Sequence, residues 1–485
     1  ALQAGLSAEA AIDRVRGQHR ARLGAVRDAY LREKLHDLED LENRLLRFLK
    51  DGSGDAATVK PGSLKGAVLV ARSIGPAELL DYAQGGIAGL LLEQGGIGGH
   101  VAIIARALDV PALVCGDGLT ATIQPDDELV LDAETGEVHI RPPRAVIDAT
   151  AARIELASQQ KAVVAKARAA PARSRDGKLV TVLMNAGLDM EVDHLDQSGA
   201  EGIGLFRTEF QFMMSAQLPR LSAQQAFYRG VLDKAGDRTV VFRTIDIGGD
   251  KLANGIKNTK EANPALGVRS LRLALKQPGM FKTQLRALIR AAGGRSLSLL
   301  IPFVSTASEM QQTRQMIGAE MDWARQQGHA VPRELSVGAM IEVPSAAFAV
   351  REIARYCDFL SIGTNDLLQH FFAADRDNSE VSRRYGLLEP AALRLLHMIE
   401  REAAAARLPI SVCGESAGQP LEAIALLALG YRRLSMAAPR IGPIKALVRG
   451  LDISKVRRKL LSELNAEKPD PKAALLRVCG ESVLI

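Results

Sequence analysis

The sequence predicts an α/β protein whose carboxyl-terminal part is a (β/α)8 TIM barrel, preceded by a smaller α/β module and a partial helical region at the amino terminus. Three observations predict this. Eight short apolar runs recur between helical stretches after Gly177, five of them end in charged or polar residues, and a glycine-rich run leads into a histidine upstream. Alternating strand and helix patterns favour a parallel sheet, and eight repeats over about 270 residues match a closed barrel.

The barrel runs are Leu179–Met184, Gly202–Phe206, Thr239–Phe242, Ser298–Ile301, Ser336–Ile341, Phe359–Ile362, Ile410–Val412 and Arg433–Ser435. Between 60 and 142 the texture is shorter: Ala67–Ala71, Gly89–Leu92, Ala112–Cys115, Glu128–Leu131 and Val138–Ile140 are apolar runs separated by turn residues. Residues 1–55 carry helical spacing of Ile12, Val15, Leu23, Leu31, Leu38, Leu41 and Leu45, broken by Asp51-Gly52-Ser53-Gly54. Such a helical pair cannot bury both faces alone, so it packs on something else or binds a partner. The stretch 143–176, rich in Ala, Arg, Lys and Gln with prolines near both ends, reads as a helical linker. The barrel spans 177–455, and 456–485 reads as a tail.

Composition narrows the function. At 485 residues the chain has room for two or three domains. The net charge is +6, but Lys and Arg are scattered and aromatics make up only 4%, so the basic stripe with stacking rings that nucleic acid requires is missing. No apolar run is long enough to span a membrane. Four cysteines, Cys115, Cys357, Cys413 and Cys479, lie far apart without CxxC pairs, which fits a reducing compartment and excludes a disulfide framework or structural zinc.

The strand ends carry the chemistry. Arg207-Thr208-Glu209 follows the second barrel run and Arg243-Thr244-Ile245-Asp246 the third; Glu342 ends the fifth, Gly363-Thr364-Asn365-Asp366 follows the sixth, and Cys413-Gly414-Glu415 the seventh. Any one of these could be a cap or a loop ion pair. In a barrel of this type all five converge on one mouth. Arginine forks match phosphate and carboxylate. Glu342 and Asp366 form the sparse oxygen set that magnesium takes when a substrate supplies further ligands. Arg269 and Arg376 add positive charge, so a small, highly anionic substrate bound with a divalent cation is expected. A cysteine at a strand end is more often inert than reactive. Cys413, mostly a neutral thiol at pH 7, is a usable proton donor. In the smaller module, glycines at 95, 96, 98 and 99 precede His100 and the helical run Val101, Ile104, Ala105, Leu108. A helix start offers free N–H groups to a phosphoryl group held there.

Taken together, Gly95-Gly96 ahead of His100, Gly202-Ile203-Gly204-Leu205-Phe206-Arg207-Thr208-Glu209-Phe210, Arg243-Thr244-Ile245-Asp246-Ile247-Gly248-Gly249-Asp250-Lys251, Glu261-Ala262-Asn263-Pro264, Ser361-Ile362-Gly363-Thr364-Asn365-Asp366-Leu367 and Cys413-Gly414-Glu415 resemble one family. It is enzyme I of the bacterial phosphotransferase system, the phosphoenolpyruvate–protein phosphotransferases. The run His100–Leu108 resembles the nitrogen-related branch more than the sugar branch. The resemblance implies a swivelling phosphohistidine domain at 60–142 and a phosphoenolpyruvate-binding barrel. His100 would accept the phosphoryl group, and Arg207, Arg243 and Arg376 would grip phosphoenolpyruvate, with Arg269 a fourth positive contact. Asn365 and Asp366 would touch substrate, Glu342 and Asp366 would hold Mg²⁺, and Cys413 would protonate the enolate at C3. It also implies a small histidine phosphocarrier protein as acceptor, a homodimer formed through the barrel, and a cytoplasmic location.

Two departures from the family pattern stand out. Gly98-Gly99 replaces the usual Thr-Ser or Thr-Ala before the histidine, removing a hydroxyl that could contact the phosphoryl group. Part of the family's amino-terminal docking region is also missing ahead of residue 7, so the chain reads as truncated. Three alternatives remain: a non-catalytic module whose phosphorylation state is read by partners, the carboxyl-terminal part of a pyruvate phosphate dikinase or phosphoenolpyruvate synthase, and a barrel lyase that leaves His100 unused.

Overall fold

The computed structural model describes residues 62–94, 110–116, 118–133, 135–213, 219–248, 263–375 and 384–480, with single positions between 7 and 17 and at 49, 101, 104, 105, 108, 261, 378 and 381. Most of the expected helical region at 1–55 therefore lies outside the described residues, as do His100, Gly98-Gly99 and Arg376. The chain divides into two compact units, residues 1–158 and 159–485.

In the first unit, strands β1 (Val68–Ala71), β2 (Gly89–Leu92) and β3 (Ala112–Val114) form a parallel sheet, and β4 (Leu129–Asp132) pairs antiparallel with β5 (Glu137–Ile140). Strand β2 is buried along its whole length, which is why Gly89-Leu90-Leu91-Leu92 reads as an unbroken apolar run. Leu79, Ile87, Leu90, Leu92 and Ala105 make the core of this unit. Glu93 follows β2 directly. Its carboxylate accepts bonds from the main-chain N–H and hydroxyl of Thr120 at 2.8 and 2.6 Å, and these bonds hold it below the usual carboxylate range. The expected linker contains one long helix, Arg144–Ala169.

The second unit is built on a two-residue strand β6 (Ala172–Arg173) and eight parallel strands: β7 (Leu179–Ala186), β8 (Ile203–Arg207), β9 (Val240–Arg243), β10 (Ser296–Ile301), β11 (Glu334–Ile341), β12 (Phe359–Ile362), β13 (Ile410–Val412) and β14 (Arg433–Met436). Each pairs with the next, and β14 pairs back onto β7 through Arg433↔Thr181 to Met436↔Met184, so the barrel closes. All eight expected strands are present, displaced by at most a few residues. The antiparallel pairing of β6 with the start of β7 is additional. The long helix Ala307–Gln326 starts at Thr306, whose hydroxyl accepts the Glu309 N–H while the Glu309 carboxylate accepts the Thr306 N–H, a capping box legible as Thr-x-x-Glu.

Within 456–485, expected as a tail, the described residues up to 480 carry packed helices. The helix Ile453–Leu464 and the helix Pro471–Cys479 bury Val456, Leu460, Leu464 and Leu475 in the main core. Asp176, in the turn between β6 and β7, fastens the first of these. Its Oδ1 accepts the Ile453 N–H at 3.0 Å, and its Oδ2 accepts the Ser454 N–H at 3.0 Å and the Ser454 hydroxyl at 2.8 Å. Among the described residues, no helix is long and apolar enough to cross a membrane.

Candidate active site at the carboxyl ends of the barrel strands

Parallel strands in a barrel all finish on one side, so side chains just past their ends share a mouth. That mouth holds a cavity of about 610 Å³. Its wall includes Arg207, Arg243, Glu342, Asn365, Asp366 and Cys413, together with Glu209, Tyr385 and Glu415. Six of the expected barrel site residues are thus brought together. Arg269 lies behind the wall, 2% exposed, with Nη2 3.3 Å from Asp246 Oδ1 and Nη1 3.9 Å from Asp366 Oδ1.

Arg243, at the end of β9, is buried between two carboxylates: it forms an ion pair with Glu209 and another with Asp246 Oδ2 at 3.2 Å. Burial works against its charge, but the carboxylates of Glu209, Asp246, Glu342 and Asp366 outweigh that and hold it protonated. Beneath it runs a polar network. The Thr208 hydroxyl donates to the Arg243 carbonyl at 2.9 Å, and Gln284 Nε2 donates to Thr208 Oγ1 at 2.9 Å and to Tyr228 Oη at 3.2 Å. Gln284 Oε1 also accepts the Ile245 N–H at 2.9 Å. The arginine is thereby fixed from both its side chain and its backbone, which is what a preset anion site needs.

Glu342, one residue past β11, is 2% exposed, and its Oε1 accepts the Phe303 N–H at 2.6 Å. Burial, the charge of Asp366 and that of Asp246 push its carboxyl up to about 8, against the pull of Arg243 and the Phe303 N–H. Two hard-oxygen groups facing one cavity with that degree of mutual repulsion fit a divalent cation, which would relieve it. Among the described residues no group of three or more His, Cys, Asp or Glu is arranged to hold a metal ion, so substrate and water oxygens would complete the shell.

Close approach explains two glycines here. A Cβ on Gly363 would stand 2.7 Å from Glu342 Oε2, and one on Gly414 would stand 1.8 Å from Thr364 Oγ1. Between them, Asn365 Oδ1 accepts the Glu415 N–H at 3.2 Å, tying the β12 loop to the β13 loop. Cys413 is 2% exposed. Burial pushes its thiol up to about 11, so it is protonated at neutral pH, and its Sγ accepts the Ser361 hydroxyl at 3.2 Å.

Glu209 and Asp246 stand within the sequence motifs, but nothing in the sequence alone gives them a role, and Gln284, in the helix Pro278–Ala292, looks there like an ordinary polar residue.

Residues 161–453 match the family model described as PEP-utilising enzyme, PEP-binding domain, and residues 63–136 match that described as PEP-utilising enzyme, mobile domain, where PEP is phosphoenolpyruvate. A phosphoenolpyruvate-protein phosphotransferase of Cupriavidus necator is 35% identical over 468 residues, spanning 93% of this chain and 79% of the relative. The chain belongs to the phosphoenolpyruvate-protein phosphotransferase family. A phosphotransferase of the same name from Haemophilus influenzae is 34% identical over 469 residues, spanning 96% of this chain and 80% of its own. A Salmonella typhimurium protein named phosphoenolpyruvate-dependent phosphotransferase system is 35% identical over 489 residues, spanning 99% of this chain and 64% of its own. In this phosphotransferase-family chain the cavity falls within the matched phosphoenolpyruvate-binding stretch, and His100 falls within the matched mobile stretch.

Proposed function

We propose that the chain moves the phosphoryl group of phosphoenolpyruvate to its own His100 and from there to a histidine of a small phosphocarrier protein, releasing pyruvate. The observation that carries this reading is the meeting of Arg207, Arg243, Glu342, Asn365, Asp366 and Cys413 on one cavity at the strand ends. Family membership then names the three-carbon substrate that fits such a set.

In this reading Arg207 and Arg243, together with Arg376, grip the phosphate and carboxylate through paired N–H donors, and the buried carboxylates behind Arg243 keep its fork oriented. Arg269 contributes through Asp246 and Asp366 rather than by direct contact. Asn365 fixes the substrate against the β12 loop. Glu342 and Asp366 would hold Mg²⁺, which when bound supplies charge neutralisation for the phosphoryl oxygens. As the phosphorus–oxygen bond to the enolate breaks, the imidazole of His100 takes the phosphoryl group in line. Cys413 gives its Sγ proton to C3 of the enolate, and the resulting keto form of pyruvate no longer competes for the phosphoryl group. A homodimer through the barrel and a cytoplasmic location accompany the reading, as does the nitrogen-related branch suggested by His100–Leu108.

The deciding experiment incubates the purified chain with ³²P-labelled phosphoenolpyruvate and Mg²⁺ without nucleotide. Acid-labile label that disappears in His100→Ala and passes to an added phosphocarrier protein is the expected result. Absence of label under these conditions would overturn the transferase reading in favour of a binding module.

A further inference from the structure

The barrel has a second cavity, of about 730 Å³, at the opposite mouth, where the strands begin. Its wall is hydroxyl-rich, including Ser298, Ser336 and Ser411. A polar space of that size is roomy enough for water. Strand periodicity connects it to the active site. Side chains alternate sides along a strand, so Ser411 and Cys413, two apart on β13 and its continuation, face the barrel interior together. Ser361 is the register partner of Ser411 on β12 and shares that face.

The side chains form a continuous line. Ser411 Oγ lies 3.0 Å from Ser361 Oγ and donates to it, and Ser361 Oγ donates to Cys413 Sγ at 3.2 Å. The thiol points its own proton at the Ile362 carbonyl, 3.4 Å away, which leaves a sulfur lone pair for Ser361. Ser361 has no exposed surface, while Ser411 reaches the lower cavity and Cys413 the upper one. The donor direction runs throughout from the lower mouth towards the sulfur. Ser411 can also rotate to the Leu360 carbonyl at 3.3 Å, the turning step a hydroxyl must make between successive transfers.

We propose that Ser361 and Ser411 relay a proton from water in the lower cavity to Cys413, reloading the thiol from the far end of the barrel while the upper mouth is occupied by product. The proposal rests on the acid role of Cys413 given above. When the S–H bond breaks and the proton joins C3, the electron pair stays on sulfur as thiolate. The thiolate then takes the Ser361 hydroxyl proton, Ser361 oxygen takes that of Ser411, and Ser411 oxygen takes one from water. The hydroxide left in the lower cavity is neutralised by solvent. No oxidant or reductant is involved. The serines do not touch the substrate; they act through the sulfur.

The test compares two exchanges in one sample of the full chain with phosphoenolpyruvate, pyruvate and Mg²⁺ in D₂O. ¹⁴C-pyruvate entering phosphoenolpyruvate reports the reversible phosphoryl step, and deuterium entering the pyruvate methyl group reports exchange of the thiol proton with solvent. In Ser361→Ala and Ser411→Ala, carbon exchange is expected to persist while deuterium entry per carbon exchange falls about 10²-fold. Ser411→Thr, which keeps a hydroxyl, should restore it. An unchanged ratio in both alanine variants would overturn the relay, and so would loss of carbon exchange in both, since that marks a purely structural role. Cys413→Ala separates the two levels: full deuterium entry in that variant removes the acid reading itself, whereas loss of entry there with normal serine variants removes only the relay.

Discussion

The main-chain N–H of Phe303, a residue held at φ 57°, donates a 2.6 Å hydrogen bond to Oε1 of Glu342. A bulky side chain in the left-handed region costs about 1–3 kcal/mol and persists only where surroundings enforce it. Here the enforcement is visible: the Phe303 ring lies under the guanidinium groups of Arg269 at 4.8 Å and Arg272 at 5.0 Å, and edge-on to His370. Phe303→Gly would release the backbone strain but empty a fully buried ring site worth about 3–5 kcal/mol. A net loss of roughly 2 kcal/mol in urea denaturation is expected. A gain in stability would show that the strain, not the ring, dominates.

The two wall arginines should separate by experiment. Removing Arg243 leaves Glu209 and Asp246 buried without their shared cation, so Arg243→Ala should lose about 3–5 kcal/mol of folding stability along with activity. Arg207 is only half-buried, and Arg207→Ala should stay within about 0.5 kcal/mol of the parent. Its KM for phosphoenolpyruvate should rise roughly 10- to 100-fold, the worth of one charged hydrogen-bonding contact. Calorimetry beside steady-state kinetics decides the matter, and equal stability losses in both variants would contradict this division.

Cys413→Ala should bind phosphoenolpyruvate as the parent does and release pyruvate about 10²–10⁴-fold more slowly. Because burial lifts the thiol to about 11, the parent should also resist alkylation by iodoacetamide at pH 8, where an ordinary cysteine reacts. Exposed Cys115 provides the internal reference. Rapid labelling of Cys413 at that pH would mean that the sulfur is a thiolate and not an acid.

Acid should loosen the end of the barrel unit first at Asp176. Burial works to raise this carboxyl, yet the bonds from Ser174, Ser454 and the Ile453 and Ser454 N–H groups hold it far below the usual range. A depressed folded pKa means that the stabilisation is fully present above the unfolded value near 4 and drains away as pH falls below it. Asp176→Ala should remove about 1–3 kcal/mol at pH 7 and show a smaller difference from the parent near pH 3. Differential scanning calorimetry across that range gives the check; a gap that widens on acidification would contradict the assignment.

The barrel was legible because its strands are buried on both faces, which leaves runs such as Val337–Ile341 apolar without alternation, and because five of the eight runs lead into charged or polar residues. The two carboxyl-terminal helices were less visible, although Asp452 as a cap followed by Val456, Leu460 and Leu464 at four-residue spacing carried the signal. Other features belong to three dimensions alone. Nothing local in Gln284 marks it as the partner of Ile245, Thr208 and Tyr228, and nothing in the triplet around Phe303 announces a left-handed backbone. Ser361 and Ser411 look like small strand residues until the register sets them side by side. Arg269 reads as one more positive group for the substrate, and its ion pairs with Asp246 and Asp366 become visible only in the fold.

The pairing of β14 with β7 sets the order in which this unit can be made. On the ribosome, β7 emerges before β14 and must wait for it before the N–H and C=O groups of Thr181–Met184 are paired on that side, so an open strand edge persists while the intervening strands are made. Non-local pairings of this kind fold slowly and invite misassociation. A nascent chain stalled before Arg433 should therefore depend on chaperones far more than one released just after Met436.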